Sequence, residues 1–176
     1  MAKIQRVKDL GPNGALKLDL GARGGFITLE IIGGPFDAYR PGVNADVGVC
    51  VRAERVPAHA DHVVPILDFS VPTPDQKAHV EQVLMETLNA ALNGKRVWVG
   101  CMGGWGRTGL FLALLAKASG VEDPLGYVRA GYTPHAVETL DQMKYVHDFD
   151  VSGIHAWLAW RAWGERAYRA MFWWAR

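Results

Sequence analysis

Cys101 ends a short apolar run, Val97-Trp98-Val99-Gly100, and is followed by Met102, Gly103, Gly104, Trp105, Gly106, Arg107 and Thr108. A cysteine acts as a nucleophile through its thiolate, which needs positive dipoles or a fixed cation beside it. Gly103, Gly104 and Gly106 permit the torsions and close approach by which a loop turns its N–H groups onto one phosphate. The apolar run from Leu110 to Lys117 predicts a helix starting near Arg107, whose positive N-terminal end adds to that cradle. Arg107, six residues after the cysteine, can fold back and grip two phosphate oxygens with its planar fork, a geometry lysine does not offer. The residues therefore read as a thiolate nucleophile, Cys101, inside a phosphate-binding loop of Met102, Gly103, Gly104, Trp105, Gly106 and Arg107. The plainer alternative is a reduced core cysteine beside a glycine turn.

The stretch from Gly100 to Thr108 resembles the signature loop of the protein tyrosine phosphatase superfamily, H-C-x-x-G-x-x-R-S/T, at every position except the first. Histidine at that first position helps brace the loop, so Gly100 implies a less strongly activated cysteine. Pro65 to Pro74, Pro-Ile-Leu-Asp-Phe-Ser-Val-Pro-Thr-Pro, is similar to the family's general-acid loop, W-P-D-F-G-V-P, and makes Asp68 the proton donor. A placed donor is typically worth ~10²–10⁴ in rate. Glu138 to Gln142 resembles the late Q-T-x-x-Q segment, with Glu138 in the first glutamine's place and Gln142 keeping the second. The resemblance gives Gln142, and with less force Glu138, a part in placing the hydrolytic water; a solvated helix face is the other reading. Thr108 would support the sulfur as it leaves phosphorus.

The resemblance covers roughly residues 45 to 149 and implies hydrolysis of phosphoproteins, at phosphotyrosine and at phosphoserine or phosphothreonine, through a phosphocysteine intermediate. No cofactor or metal is implied. Met102, Gly103 and Trp105 put no lysine where phosphoinositide-directed relatives often carry basic residues, and the short chain lacks a tyrosine-stacking loop, which points to the compact dual-specificity type. A phosphate-recognition module with little or no turnover is the rival reading, and sulfur transfer ranks behind both.

A sheet and several helices must position these groups. Residues 1 to 46 interleave glycines, as in Gly11-Pro12-Asn13-Gly14 and at Gly24 and Gly33, with apolar runs such as Phe26 to Ile32, predicting short strands and tight turns. Asp46 to Val51 and His62 to Leu67 are rich in β-branched residues and read as buried strands. Thr73, Pro74 and Gln76 supply a hydroxyl cap, a proline at the first helical position and a glutamine three residues after the cap. The helix they start carries Val80, Val83, Leu84, Leu88, Ala91 and Leu92 on one face and stops at Asn93-Gly94. Lys95 to Val99 is the strand that enters the loop, and helices over 122–130 and 135–149 follow. The expected fold is α/β, one phosphatase domain over 1–176, with a central mostly parallel or mixed sheet of four to five strands flanked by helices. Residues 1–44 form its glycine-rich strand-and-turn part, 45–149 its core and 153–176 an amphipathic C-terminal helix.

The 176 residues can bury a substantial core, and 49% hydrophobic with 21% charged residues excludes a disordered chain. A net charge of +1 gives no reason to expect nucleic acid or an anionic membrane as partner. Cys50 and Cys101 do not make the disulfide framework of a small secreted domain. With no secretory leader and no apolar run of ~18 residues, a soluble cytoplasmic protein is expected. Cys50 reads as a core residue, or as the partner of Cys101 in a disulfide under oxidation. His59 and His62 lack a ligand set and read as surface loop residues. In the tail, Trp157, Trp160, Trp163, Tyr168, Met171 and Trp174 share one helical side against Arg161, Glu165, Arg166 and Arg169. That aromatic side is expected to pack on the parent domain; a homodimer or partner contact through 153–176 and a membrane surface are the alternatives.

Overall fold

Leu16, Leu18 and Leu20 alternate with Lys17 and Asp19, and this period of two makes β1 (Gly14–Leu20), leucines inward and polar residues outward. The computed structural model describes residues 14–20 and 27–171; the turn residues Gly11 to Asn13, Gly24, Phe26, Trp174 and the side chains of Tyr168 and Met171 lie outside the described set. β1 pairs antiparallel with β2 (Ile27–Pro35), Leu18 opposite Leu29. The continuous apolar runs become inner strands, β3 (Val47–Cys50) and β5 (Val97–Cys101), buried throughout. With β4 (His62–Val63) they form a five-stranded mixed sheet of order β1-β2-β5-β3-β4, in which β2, β5, β3 and β4 run parallel. The α/β fold and strand number are those expected. The strand foreseen over His62 to Leu67 is cut to two residues, because Pro65 has no N–H to give a ladder. His62 thus stands in a strand, 3.0 Å from Glu86, while exposed His59 stacks on Phe36.

The Thr73–Gln76 capping box is present, and a 3-10 turn, Pro74–Gln76, leads into α1 (Lys77–Leu92). α2 (Gly106–Ala118) is apolar on every side and buried almost throughout. Asp123 accepts from Gly126 N to cap α3 (Pro124–Gly131). α4 (Leu140–Asp148) starts at a second capping box, Thr139 with Gln142, and not at 135. Arg129 is the reason: its Nε and Nη2 donate to Ala136 O and Val137 O, each at 3.0 Å, and Val137 sits at φ 61, so this stretch cannot join a helix.

The main core gathers one sheet face with Leu84, Leu112, Val128, Val146 and Leu158 of the helices. A small cluster of Phe36, Tyr39, Ala45, Cys50 and Trp98 covers the opposite face. α5 (Ser152–Met171) meets α1 and α2 through Ile154 and Leu158, with Trp157 partly buried and Arg161 Nη2 donating to Asn89 Oδ1 at 2.9 Å. The packed stripe is therefore not the expected aromatic side: Trp160 and Trp163 are 68% and 67% exposed. Among the described residues no helix is long and apolar enough to cross a membrane.

Candidate active site

Four parallel strands put their carboxyl ends on one edge of the sheet, where open α/β sheets hold ligands. Cys101 is the last residue of β5, and α2 begins at Gly106, so residues 102–105 must turn between them. Gly104 takes φ 79, and a Cβ on it would lie 2.8 Å from Gly34 C, so only glycine fits this bend against β2. Gly104 N donates to Cys101 Sγ at 3.2 Å, and Cys101 N donates to Thr108 Oγ1 at 2.9 Å. The Thr108 hydroxyl, fully buried, keeps its own proton to give. Tyr132 Oη donates to Gly104 O at 2.6 Å from the end of α3.

Arg107 is buried beneath this loop. Its Nη1 donates to Glu54 Oε2 at 2.8 Å and to Ile66 O at 3.0 Å, and its Nη2 lies 2.9 Å from Asp68 Oδ1. Burial opposes the charge, yet the Glu54 bond and the nearby Cys101 and Asp68 charges hold the guanidinium above its ordinary value. The Arg107 bond in turn holds the Glu54 carboxyl below its usual range. Sequence reading passed over Glu54; the signal it carried was a carboxylate just past the end of a buried strand.

Asp68 lies on a loop whose Phe69 takes φ 55, an uncommon conformation for a residue other than glycine. Gln142 reaches that loop: its Nε2 donates to Ser70 O at 3.1 Å, and its Oε1 accepts from Glu138 N at 2.9 Å. The glutamine is wholly buried and braces the acid loop against α4. A Cβ on Gly106 would run into the Glu138 carboxylate, which therefore lies against the phosphate loop. Cys101, Arg107, Asp68, Thr108, Gln142 and Glu138 are thus brought to one edge of the sheet. Met102 rests on Arg52, whose Nη1 is 3.4 Å from its sulfur and whose Nη2 pairs with Asp37 at 2.7 Å. Trp105 meets His135 edge to face at 5.3 Å, beside a cavity of about 630 Å³ that Arg129 and Glu138 also line.

Cys50 pairs with Gly100 in the sheet register and belongs to the small cluster, whereas Cys101 belongs to the main core on the other face. Both cysteines are free, and burial pushes the Cys50 thiol up. The core reading of Cys50 is the one this register favours. A Cβ on Gly100 would lie 2.6 Å from Gly34 O and 2.7 Å from Phe36 N, so the backbone after β2 fills the space a side chain would need. Among the described residues no group of three or more His, Cys, Asp or Glu is arranged to hold a metal ion.

No family model matches the chain. Two uncharacterised proteins of Methanocaldococcus jannaschii are 40% and 36% identical over 86 residues, 49% of this chain and 56% and 52% of their own. The chain thus spans about half the length of the curated relatives it matches. Among solved structures, Tk-PTP in its active form is 30% identical, with 58% of this chain and 77% of that one covered and a TM-score of 0.47. A mouse protein assigned as a dual-specificity phosphatase, complexed with zinc tungstate, shares the fold at 17% identity, with 73% and 86% covered and a TM-score of 0.56. Within that shared fold the loop from Cys101 to Arg107, which resembles the signature loop of the protein tyrosine phosphatase superfamily, is set at the head of α2.

Proposed function

We propose that the chain hydrolyses phosphomonoesters of phosphoproteins, at phosphotyrosine and at phosphoserine or phosphothreonine. The observation that carries this reading is the meeting of three groups: Cys101 Sγ under the Gly104 N–H at 3.2 Å, buried Arg107, and Asp68 at 2.9 Å from its Nη2. An incoming phosphate takes the loop amides and the guanidinium edge that Asp68 shares, which spreads charge over its equatorial oxygens. The Cys101 thiolate forms the S–P bond as the P–O bond to the leaving group breaks, and Asp68 in its acid form gives that oxygen a proton. Water then attacks phosphorus, its proton passes to the Asp68 carboxylate, and the S–P bond breaks to return thiolate and inorganic phosphate. Glu138, against the loop, would order that water, and Gln142, bonded to Ser70 O and Glu138 N, would support it through the acid loop.

The absence of lysine at Met102, Gly103 and Trp105 favours a phosphoprotein over a phosphoinositide, and the Trp105–His135 pair offers an aromatic wall to the peptide. Two free cysteines suit a reducing compartment such as the cytoplasm. The test is phosphate release from para-nitrophenyl phosphate and from phosphotyrosine and phosphoserine peptides by the unaltered chain, Cys101→Ser and Asp68→Asn. Turnover abolished by the first substitution and reduced ~10²–10⁴-fold by the second supports the proposal. An unaltered chain as inert as Cys101→Ser, both still binding phosphopeptide, makes it a phosphate-recognition module instead.

A further inference from the structure

We propose that Tyr132 is the positioning residue that sets the phosphate loop, and that it does so by fixing the peptide between Gly104 and Trp105. The inference deepens the reading of the loop as a phosphate binder and rests on it. Bracing from position 100 is closed to this chain, since a Cβ there would lie within 2.8 Å of Gly34 O, Phe36 N and Phe36 Cα, all backbone atoms. The adjoining strand opens a different route. A Cβ on Gly33 would come 2.7 Å from Tyr132 Cε2, so the missing side chain on β2 is the space through which the tyrosine ring reaches the loop.

There the hydroxyl donates to Gly104 O at 2.6 Å, at the short end for O–H···O. Gly104, at φ 79, lacks the Cβ that would hold its backbone to one conformation. A trans peptide points its C=O and the following N–H in opposite directions within its plane. Pinning Gly104 O outward on Tyr132 therefore aims the Trp105 N–H the other way, into the cradle, beside the Gly104 N–H that already meets Cys101 Sγ at 3.2 Å. Tyr132 thus acts through a carbonyl on the outer side of the loop and has no need to touch substrate. Burial, with the Cys101 charge adding to it, keeps the phenol protonated and so a donor throughout the range in which the thiolate works.

Tyr132→Phe removes the hydroxyl and keeps the ring. Loss of one such bond shifts an equilibrium by about 3- to 10-fold. Inorganic phosphate should inhibit the variant about 3- to 10-fold more weakly, and kcat/KM for para-nitrophenyl phosphate should fall by a matching factor. A hydroxyl that only packs would lower the melting temperature and leave the phosphate inhibition constant alone; a folded variant with both constants within about twofold of the unaltered chain overturns the assignment. A second measurement needs no variant: as inorganic phosphate is added to the unaltered chain, the Trp105 amide proton resonance should move downfield, and a Trp105 amide that stays put while other loop amides move overturns it as well. An unaltered chain that neither binds inorganic phosphate nor turns over the aryl ester would instead bring down the phosphatase reading on which this one stands.

Discussion

Gly100 is where the chain departs from the signature loop it otherwise resembles, and placing a side chain there should do harm. Gly100→Ala adds one methyl group, whose carbon would lie 2.6 Å from Gly34 O, 2.7 Å from Phe36 N and 2.8 Å from Phe36 Cα. None of the three can swing aside, because all are main-chain atoms of β2 and the turn that follows it. Overpacking costs about 1–3 kcal/mol, and three simultaneous backbone contacts put this case near about 3 kcal/mol. Gly100 is not among the residues with positive φ, so alanine also recovers about 0.4–1 kcal/mol by restricting the unfolded chain. The net loss is about 2 kcal/mol, or about 4–8 °C in melting temperature for a chain of this size. Thermal unfolding followed by circular dichroism measures it, and Gly153→Ala is the control, since nothing lies within 4 Å of that position and a helix gains from alanine. Gly100→His meets the same three atoms and adds a ring, so it should fare worse than alanine although it restores the family's residue. A Gly100→Ala protein melting within about 1 °C of the unaltered chain, with the control behaving as stated, would refute the close-approach account.

Glu54→Gln removes the charge from the 2.8 Å bond to Arg107, and since Glu54 is 38% exposed the loss should sit low in the range for such bonds: a fall of about tenfold in kcat/KM, read on an aryl phosphate. A change below about twofold would show that Arg107 holds its place without Glu54. The same pair has a pH signature. A carboxyl held below its unfolded value adds stability that is complete above about pH 4.3 and is lost as pH falls through the folded value, so the gap in urea midpoint between the unaltered chain and Glu54→Gln should close on going from pH 6 to pH 3. Iodoacetamide at neutral pH should leave Cys50 unmodified in the folded protein and modify it in urea, as mass spectrometry of the peptides will show; labelling at equal rates in both would contradict its burial. On α5, Leu158→Ala should cost about 2–5 kcal/mol and Trp160→Ala less than about 0.5 kcal/mol in denaturant unfolding, because only the first is buried; the reverse order would place the aromatic side against the core.

The contrast between what the residues announce and what they conceal follows chain distance. Cys101, the glycines and Arg107 are legible because the cradle is one continuous turn between a strand and a helix, and the chemistry dictates both the residue types and their order. Asp68 is legible through a local pattern as well. Glu54 and Tyr132 are not, since each meets the loop across 53 and 28 residues of chain, and either residue type occurs in many places with nothing to do. Gln142 is half legible: its position in the motif is plain, yet its bond to Ser70 O crosses 72 residues and depends on how α4 sits against the acid loop. The aromatic tail misled for a related reason. A helical wheel finds the most apolar side, but which side packs is decided by the surface offered, and α1 and α2 receive Ile154 and Leu158 while leaving Trp160 outside.

Gly33 and Gly100 make the same point at the level of register. Read along the chain, one is a turn-former and the other a flaw in a motif. Once β2 and β5 lie parallel with Gly34 opposite Gly100, they become two places where another part of the chain takes the room of the residue's own side chain: the backbone after β2 at Gly100, the ring of Tyr132 at Gly33. On the proposal above, the ring of Tyr132 entering over Gly33 is what supports the loop where the backbone at position 100 leaves no room for a side chain.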